Sequence, residues 1–188
     1  MQLNKLIDLS IVIPVYNSEK ILFYLTKKID QNINKKIINK YEIILVDDFS
    51  NDKTWNTIQK LSRKYKNIKG IKLKKNHGQH WSVFVVLKNS SGRKTIIMDD
   101  DLQHNPSYIM KIYKKLDCCD VCYTKYIYRK HDNFKIFASN FTNLYLSLIL
   151  NKKIKVYCST FKGINLRLKN KVIKFKNSPI YLDSLLIK

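Results

Sequence analysis

Acidic side chains are scarce in this chain. Its 188 residues hold 14 Asp plus Glu against 36 Lys plus Arg, a formal net charge of +22. A surface so short of acids attracts polyanions: nucleic acid, an anionic membrane face or phosphorylated substrates. Arg is scarce beside Lys, and Lys, Asn and Ile abound together, as an AT-rich coding sequence would give. That bias accounts for much of the Lys count and leaves the positive field in place. Glycine and proline are few, 4 and 3 residues, while Tyr, Phe, Ile and Leu are spread along the whole chain. This composition excludes a disordered or low-complexity segment. The four cysteines are Cys118, Cys119, Cys122 and Cys158, three clustered and one apart. They make no disulfide framework. The C-x-x-C of Cys119 and Cys122 lacks the second pair, or the His at finger spacing, that a structural zinc site needs. They read as small apolar residues beside a buried strand, in a reducing compartment. Long apolar runs are also missing. The longest, near Leu144 to Leu150, is too short and too polar at its edges to span a bilayer. No signal-type apolar core precedes the first strand. The length suits one domain over 1–188 with a sizeable core.

What is present is a rhythm. Leu9 to Val15 (LSIVIPV) and Tyr41 to Asp47 (YEIILVD) are β-branched runs that read as buried strands. Ile68 to Leu73 and Thr95 to Asp99 read as two more, and Asp120 to Tyr126 as a fifth. Helical spacing marks Glu19 to Asn39, Asp52 to Tyr65 with Asp52 near the N-cap, and Gly78 to Asn89. Pro106 opens a further helix at a first-turn position. Phe134 to Leu150 reads as a long helix, and Ile164 to Phe175 as a last helix or helical turn. Alternating strands and helices define an α/β fold, a doubly wound, mostly parallel sheet flanked by helices. Ligands of such sheets sit beyond the carboxyl ends of the strands. Each strand here ends in polar residues: Tyr16–Asn17, Asp47–Asp48, Asn76–His77–Gly78 and Asp99–Asp100–Asp101.

Three of these ends carry chemistry. Asp99-Asp100-Asp101-Leu102-Gln103 concentrates negative charge that a cation would neutralise. If the segment is extended, Asp99, Asp101 and Gln103 share one side. Carboxylates plus an amide oxygen suit Mg²⁺ or Mn²⁺, with diphosphate oxygens completing an octahedron. A bare D-x-D is common by chance, and its weight comes from the strand before it and from Gln103, His104 and Pro106 after it. Asp47-Asp48 places two acids at a strand terminus, where one can accept from a base imide N–H. In Pro14-Val15-Tyr16-Asn17-Ser18-Glu19, Tyr16 can pack beside a base and Glu19 can accept from base or ribose. Either segment alone is also an ordinary strand-to-helix turn. His104 reads as a capping or packing residue rather than a ligand.

The stretches SIVIPVYNSEK, EIILVDDFSNDKTW, NHGQHWSV and IIMDDDLQHNP, in this order, resemble the family 2 glycosyltransferases of GT-A fold. The form D-x-D-L-Q-H-x-P is most like the dolichol-phosphate mannose synthase and polyprenyl-phosphate glycosyltransferase branch. The resemblance covers Leu9 to Tyr126 well and Phe134 to Lys174 more loosely. It implies a nucleotide-sugar half over about 9–126 and an acceptor side over about 127–188. It implies Asp99 and Asp101 as metal and diphosphate aspartates, with Gln103 as a further metal ligand. Asp48, with Asp47 beside it, becomes the nucleobase contact; Pro14, Tyr16 and Glu19 become the pocket wall. Two arginines of that branch, facing a lipid phosphate, fall near Lys125 and Lys135, with Arg129 close by. Ser159-Thr160-Phe161-Lys162 resembles a segment where Arg usually stands at Lys162. Lys binds phosphate as a point charge and lacks the bidentate fork of Arg.

The implied reaction is an inverting single displacement from a UDP- or GDP-sugar, with Mg²⁺ or Mn²⁺ as cofactor. The implied acceptor is a polyprenyl phosphate, already an anion and in no need of a base. A glycan hydroxyl acceptor would need one, and Asp183 is the candidate. The branch often carries C-terminal membrane helices. None follows here, so the expectation is a shortened chain, or a cytoplasmic one held on the anionic inner face of the membrane by its basic surface. A polyanion- or nucleic-acid-binding domain is the competing class. Against it, the lysines make no aromatic-interleaved patch, and the acids at the strand ends repel phosphate unless a cation is bound.

Overall fold

The computed structural model describes residues 7–76, 79–124 and 159–174. β1 (Leu9–Val15) and β2 (Tyr41–Asp47) span the expected runs, buried on both faces as their unbroken apolar sequences require. β3 (Ile68–Lys72) and β4 (Lys94–Ile97) complete the parallel part of the sheet. β5 (Val121–Tyr123) and β6 (Lys162–Asn165) extend it. The order is β3-β2-β1-β4-β6-β5, with β6 antiparallel to both of its neighbours.

Helices cover both faces, and strand parity decides which residue meets which helix. On one face Leu9, Ile11, Ile13 and Val15 of β1 join Ile43 and Leu45 of β2. They pack on Leu22, Leu25 and Ile29 of α1 (Leu22–Asn32), Ile58 and Leu61 of α2 (Thr54–Lys64), and Ile109 and Ile112 of α4 (Tyr108–Lys115). On the other face Val12, Ile44, Val46 and Ile97 meet Val83, Phe84, Val86 and Leu87 of α3 (Gln79–Asn89). Leu168 and Val172 of α5 (Leu166–Val172) close that side.

Three expectations change. Ile164 is not helical: Lys162–Asn165 is a strand, and the helix starts only at Leu166, with Asn165 Oδ1 accepting from Leu168 N at 2.9 Å. Gly163 permits this strand to pass under α4, since a Cβ there would lie 2.4 Å from Ile112 Cγ2. The first helix is shorter than its apolar spacing suggests. It begins after a turn at Ser18–Ile21 and stops at Asn32, where Asn34 takes over the following turn through its carbonyl and side chain. Pro106 likewise lies in the turn before α4, its carbonyl accepting from Ile109 N at 3.0 Å. Residues 134–150 lie outside the described residues.

The amino-terminal end of the sheet is sealed by a buried polar network. Glu42, almost fully buried, takes Ser10 Oγ at 2.6 Å and Ser91 N at 2.7 Å on Oε1. Lys69 Nζ sits 2.7 Å from Oε2, an ion pair outside hydrogen-bond geometry. Burial alone would raise the Glu42 carboxyl; Lys69, Ser10 and Ser91 outweigh it and hold it below the usual glutamate value. Beside them the buried Lys169 Nζ donates to Ser90 O at 2.9 Å and Gly92 O at 3.0 Å.

Candidate active site

At the opposite end the connection from β3 crosses β2 and β1 to reach β4, so the strand order reverses between β1 and β4. Topological switch points of this kind leave a crevice between the diverging loops. Here it is an open cleft of about 430 Å³. Pro14 and Val15 of β1 and Tyr16 just after it line the cleft, with Asp48 after β2, Asn76 after β3, and Asp99, Asp100 and Asp101 after β4.

The loops around it are stitched together. Ser18 Oγ donates to Asp100 Oδ2 at 2.5 Å and Tyr16 N to the same oxygen at 3.3 Å. Asn17 N donates to Ser50 Oγ at 3.0 Å, and Asn51 N returns a bond to Asn17 Oδ1 at 2.9 Å. Lys53 N donates to Glu19 Oε2 at 2.8 Å. Three non-glycine residues take left-handed backbone, Asn17 (φ 52°), Phe49 (φ 64°) and Leu102 (φ 58°), one in the loop after each of β1, β2 and β4. Asn accepts this conformation readily; for Phe and Leu it costs about 1–2 kcal/mol each. Such strain collects where loop geometry must serve a ligand rather than the fold.

Electrostatics follow from this crowding. Burial raises the Asp100 carboxyl above the usual aspartate value, opposed by the Ser18 and Tyr16 bonds and assisted by the charge of Asp99. His104 is buried under Phe161, ring centroids 4.9 Å apart. Burial pushes its imidazole down to about 4 against the pull of Asp101. It is neutral at physiological pH, so its 3.8 Å approach to Asp99 Oδ2 is no ion pair.

The structure brings Pro14, Tyr16, Asp48, Asp99 and Asp101 into one cleft and adds Asp100 and Asn76. Four other expected residues, all among the described ones, lie outside its lining. Asp47 is fully buried below the cleft, where Oδ1 accepts from Ser50 N at 3.0 Å and shapes the turn. Glu19 lines a separate groove along α2 with Lys53, Lys60 and Arg63. Gln103 is exposed and outside the lining, because the segment is not extended: Leu102 turns left-handed and Asp101 Oδ1 accepts from Gln103 N at 3.0 Å. Lys162 is buried in β6 with Nζ 5.6 Å from the Tyr123 ring centroid. Lys125, Arg129, Lys135 and Asp183 lie outside the described residues. Ser18 and Thr160 were not singled out from the sequence. Their only signal there was a hydroxyl in an otherwise recognisable segment.

The lining chemistry fits a hard divalent cation. Among the described residues no three His, Cys, Asp or Glu close into a cage for a metal. Mg²⁺-type ions at phosphate sites need no such cage: one or two carboxylates hold them, and substrate phosphates and water supply the remaining oxygens. Asp99 and Asp101 offer that donor set.

A mostly parallel sheet with a cleft at its switch point defines a class, the doubly wound α/β proteins that bind ligands there. Comparison narrows it. The family model for glycosyl transferase family 2 matches residues 10–172, and the chain belongs to that family. A dolichol-phosphate mannosyltransferase of Pyrococcus furiosus is 39% identical over 110 residues, 57% of this chain and 29% of that protein. An undecaprenyl-phosphate 4-deoxy-4-formamido-L-arabinose transferase of Photorhabdus laumondii is 30% identical over 159 residues, 84% of this chain and 49% of that protein. This chain therefore spans less than half the length of either relative. Among solved structures, glucosyl-3-phosphoglycerate synthase of Mycobacterium tuberculosis, in complex with Mn²⁺, UDP and glucosyl-3-phosphoglycerate, superposes with a TM-score of 0.65 at 14% identity. The match covers 88% of this chain and 59% of that one. The fold is GT-A.

Proposed function

We propose that this chain is a glycosyltransferase that takes a sugar from a nucleoside-diphosphate sugar with the help of Mg²⁺ or Mn²⁺ and passes it, with inversion, to a polyprenyl phosphate. The observation that carries the reading is the meeting of Asp48, Asp99, Asp100 and Asp101, from two strand ends, in one cleft of a chain whose net charge is +22. Among the described residues no Lys or Arg lines that cleft, so the mutual repulsion of these acids is left for a bound cation to offset. The names of the two relatives support the acceptor: one carries dolichol phosphate and the other undecaprenyl phosphate, both polyprenyl phosphates.

In this reading Asp48 accepts from the base and Tyr16 lies against it. Asp99 and Asp101 hold the cation, whose chemistry is to offset charge growing on the departing diphosphate. Asp100 does not ligate: its Oδ2 fastens the β1 loop through Ser18 and Tyr16 N, so the nucleotide wall and the acidic loop move as one. An oxygen of the acceptor phosphate attacks C1 of the sugar, and the bond from C1 to the diphosphate oxygen breaks. The nucleoside diphosphate leaves with that electron pair. No proton is removed, so no general base is required. The absence of an apolar membrane-crossing helix among the described residues is compatible with attachment through a basic surface.

Calorimetric titration of UDP, GDP and their sugar conjugates, with Mn²⁺ and with chelator, tests this on the wild type and Asp101→Ala. Cation-dependent binding of one nucleotide, lost in the variant, supports the reading and names the base. No nucleotide binding in Mn²⁺ would sink it and bring polyanion binding forward.

A further inference from the structure

We infer that His104 and Thr160 are positioning residues that hold Asp99 in the conformation its cleft role demands. The inference rests on the donor-site reading above and adds two residues to it. Asp99 N donates to His104 Nδ1 at 3.3 Å. That bond leaves the imidazole proton on Nε2, which faces Thr160 Oγ1 at 3.4 Å. Thr160 Oγ1 in turn donates to Asp99 Oδ2 at 2.6 Å. The three residues thus form a closed ring that starts at the Asp99 main chain and ends on its carboxylate. One bond fixes the backbone of the loop after β4; the other fixes the rotamer.

The ring is itself braced. Phe161 is buried and lies against the His104 imidazole. Phe161 O accepts from Thr124 N at 3.1 Å and Thr124 Oγ1 at 2.8 Å, at the end of β5. Phe161 N donates to Ser159 Oγ at 3.1 Å. Thr160 is therefore presented by a segment pinned on both sides, and so points at Asp99 from a fixed frame. Hydrogen bonding to a carboxylate oxygen that a cation would share orients the carboxylate and tunes it. Removing such a partner typically lowers metal affinity about 10–100-fold. A family motif would explain why a histidine follows the acids. The ring explains what it does here, and why a hydroxyl some sixty positions downstream belongs to the same site.

The test uses the full 188-residue chain. Mn²⁺-dependent binding of UDP and GDP is measured by calorimetry, and bound Mn²⁺ by electron paramagnetic resonance, on wild type, Thr160→Val, Thr160→Ser and His104→Phe. UMP and GMP in chelator serve as the control for the base pocket, and urea unfolding as the control for the fold. Thr160→Val keeps the shape and loses the hydroxyl, so it is expected to weaken Mn²⁺–nucleotide binding about 10–100-fold with monophosphate binding unchanged. Thr160→Ser restores it. His104→Phe is expected to follow Thr160→Val in the same direction. Wild-type binding of Mn²⁺–nucleotide by Thr160→Val would overturn the inference while leaving the donor-site reading intact. So would an equal loss of monophosphate binding, which would mean a structural role only. Failure of the wild type to bind any Mn²⁺–nucleotide would overturn the donor-site reading and this inference with it.

Discussion

The two ends of the sheet both bury carboxylates, and they treat them in opposite ways. At the amino end Glu42 is answered by Lys69, Ser10 and a main-chain N–H, and its carboxyl is held down. At the carboxyl end Asp100 is met by a hydroxyl and an N–H, and its carboxyl is pushed up. Among the described residues no Lys or Arg lines that cleft, in a chain with 36 of them. The amino end is built to be finished by the fold. The carboxyl end is built to be finished by something that binds. A polar group at one end should therefore register in stability, and one at the other in ligand affinity.

Four experiments press on that division. Asp101→Ala is expected to have the largest effect, lowering Mn²⁺-dependent nucleotide affinity by at least about 100-fold while the urea midpoint barely moves, since the side chain is exposed. Gly92→Ala is expected to do the reverse. Its Cβ would lie 2.4 Å from Ser10 N, a main-chain atom with no room to retreat, so stability should fall by roughly 1–3 kcal/mol in urea titration with binding per folded molecule unchanged. Glu42→Gln should cost about 1–2 kcal/mol near neutral pH. The Glu42 carboxyl titrates below 4.5 in the folded chain, so its contribution is complete above that value and is lost as pH falls through the lower folded value. A thermal-unfolding series from pH 7 to pH 3 should show the variant and the wild type converging at the acid end. Unchanged separation across that range would break the assignment. The smallest effect is expected for Leu102→Gly: relief of a left-handed leucine is offset by the loss of a side chain packed against the core, so stability should change by less than about 1 kcal/mol in either direction. The same change should weaken nucleotide binding, because the turn it loosens carries Asp101. A stabilised variant with undiminished binding would show that the strain serves nothing.

The parts of the molecule that follow from local pattern were legible. β1 and β2 coincide with their apolar runs, and α2 with its spacing, because their burial is set by residues close in sequence. The meeting of Pro14, Tyr16, Asp48 and Asp99–Asp101 follows from strand ends that a parallel sheet must gather on one side. What was not legible depends on distant partners. β6 is four residues long and has no alternation of its own; it is a strand only because β4 and β5 flank it. Gln103 was placed by assuming an extended chain, and a single left-handed leucine displaced it. Asp47 and Asp48 look alike in sequence and both are buried, yet only the second reaches the lining of the cleft. Ser18 and Thr160 bond to acids far along the chain, and nothing local distinguishes them from any other hydroxyl.

The position of β6 has a consequence in time. β4 waits for a partner on its outer edge that lies far downstream, and among the described residues β5 has no other neighbour in the sheet. At ordinary elongation rates of about 5–20 residues per second, several seconds separate the making of β4 from the arrival of its neighbour. Through that interval Ile96 and Ile97 sit on an open strand edge of the kind that pairs with other chains. The nascent chain is most vulnerable to aggregation in that window, and a ribosome stall placed within it should be more damaging than one placed before β4 or after β6.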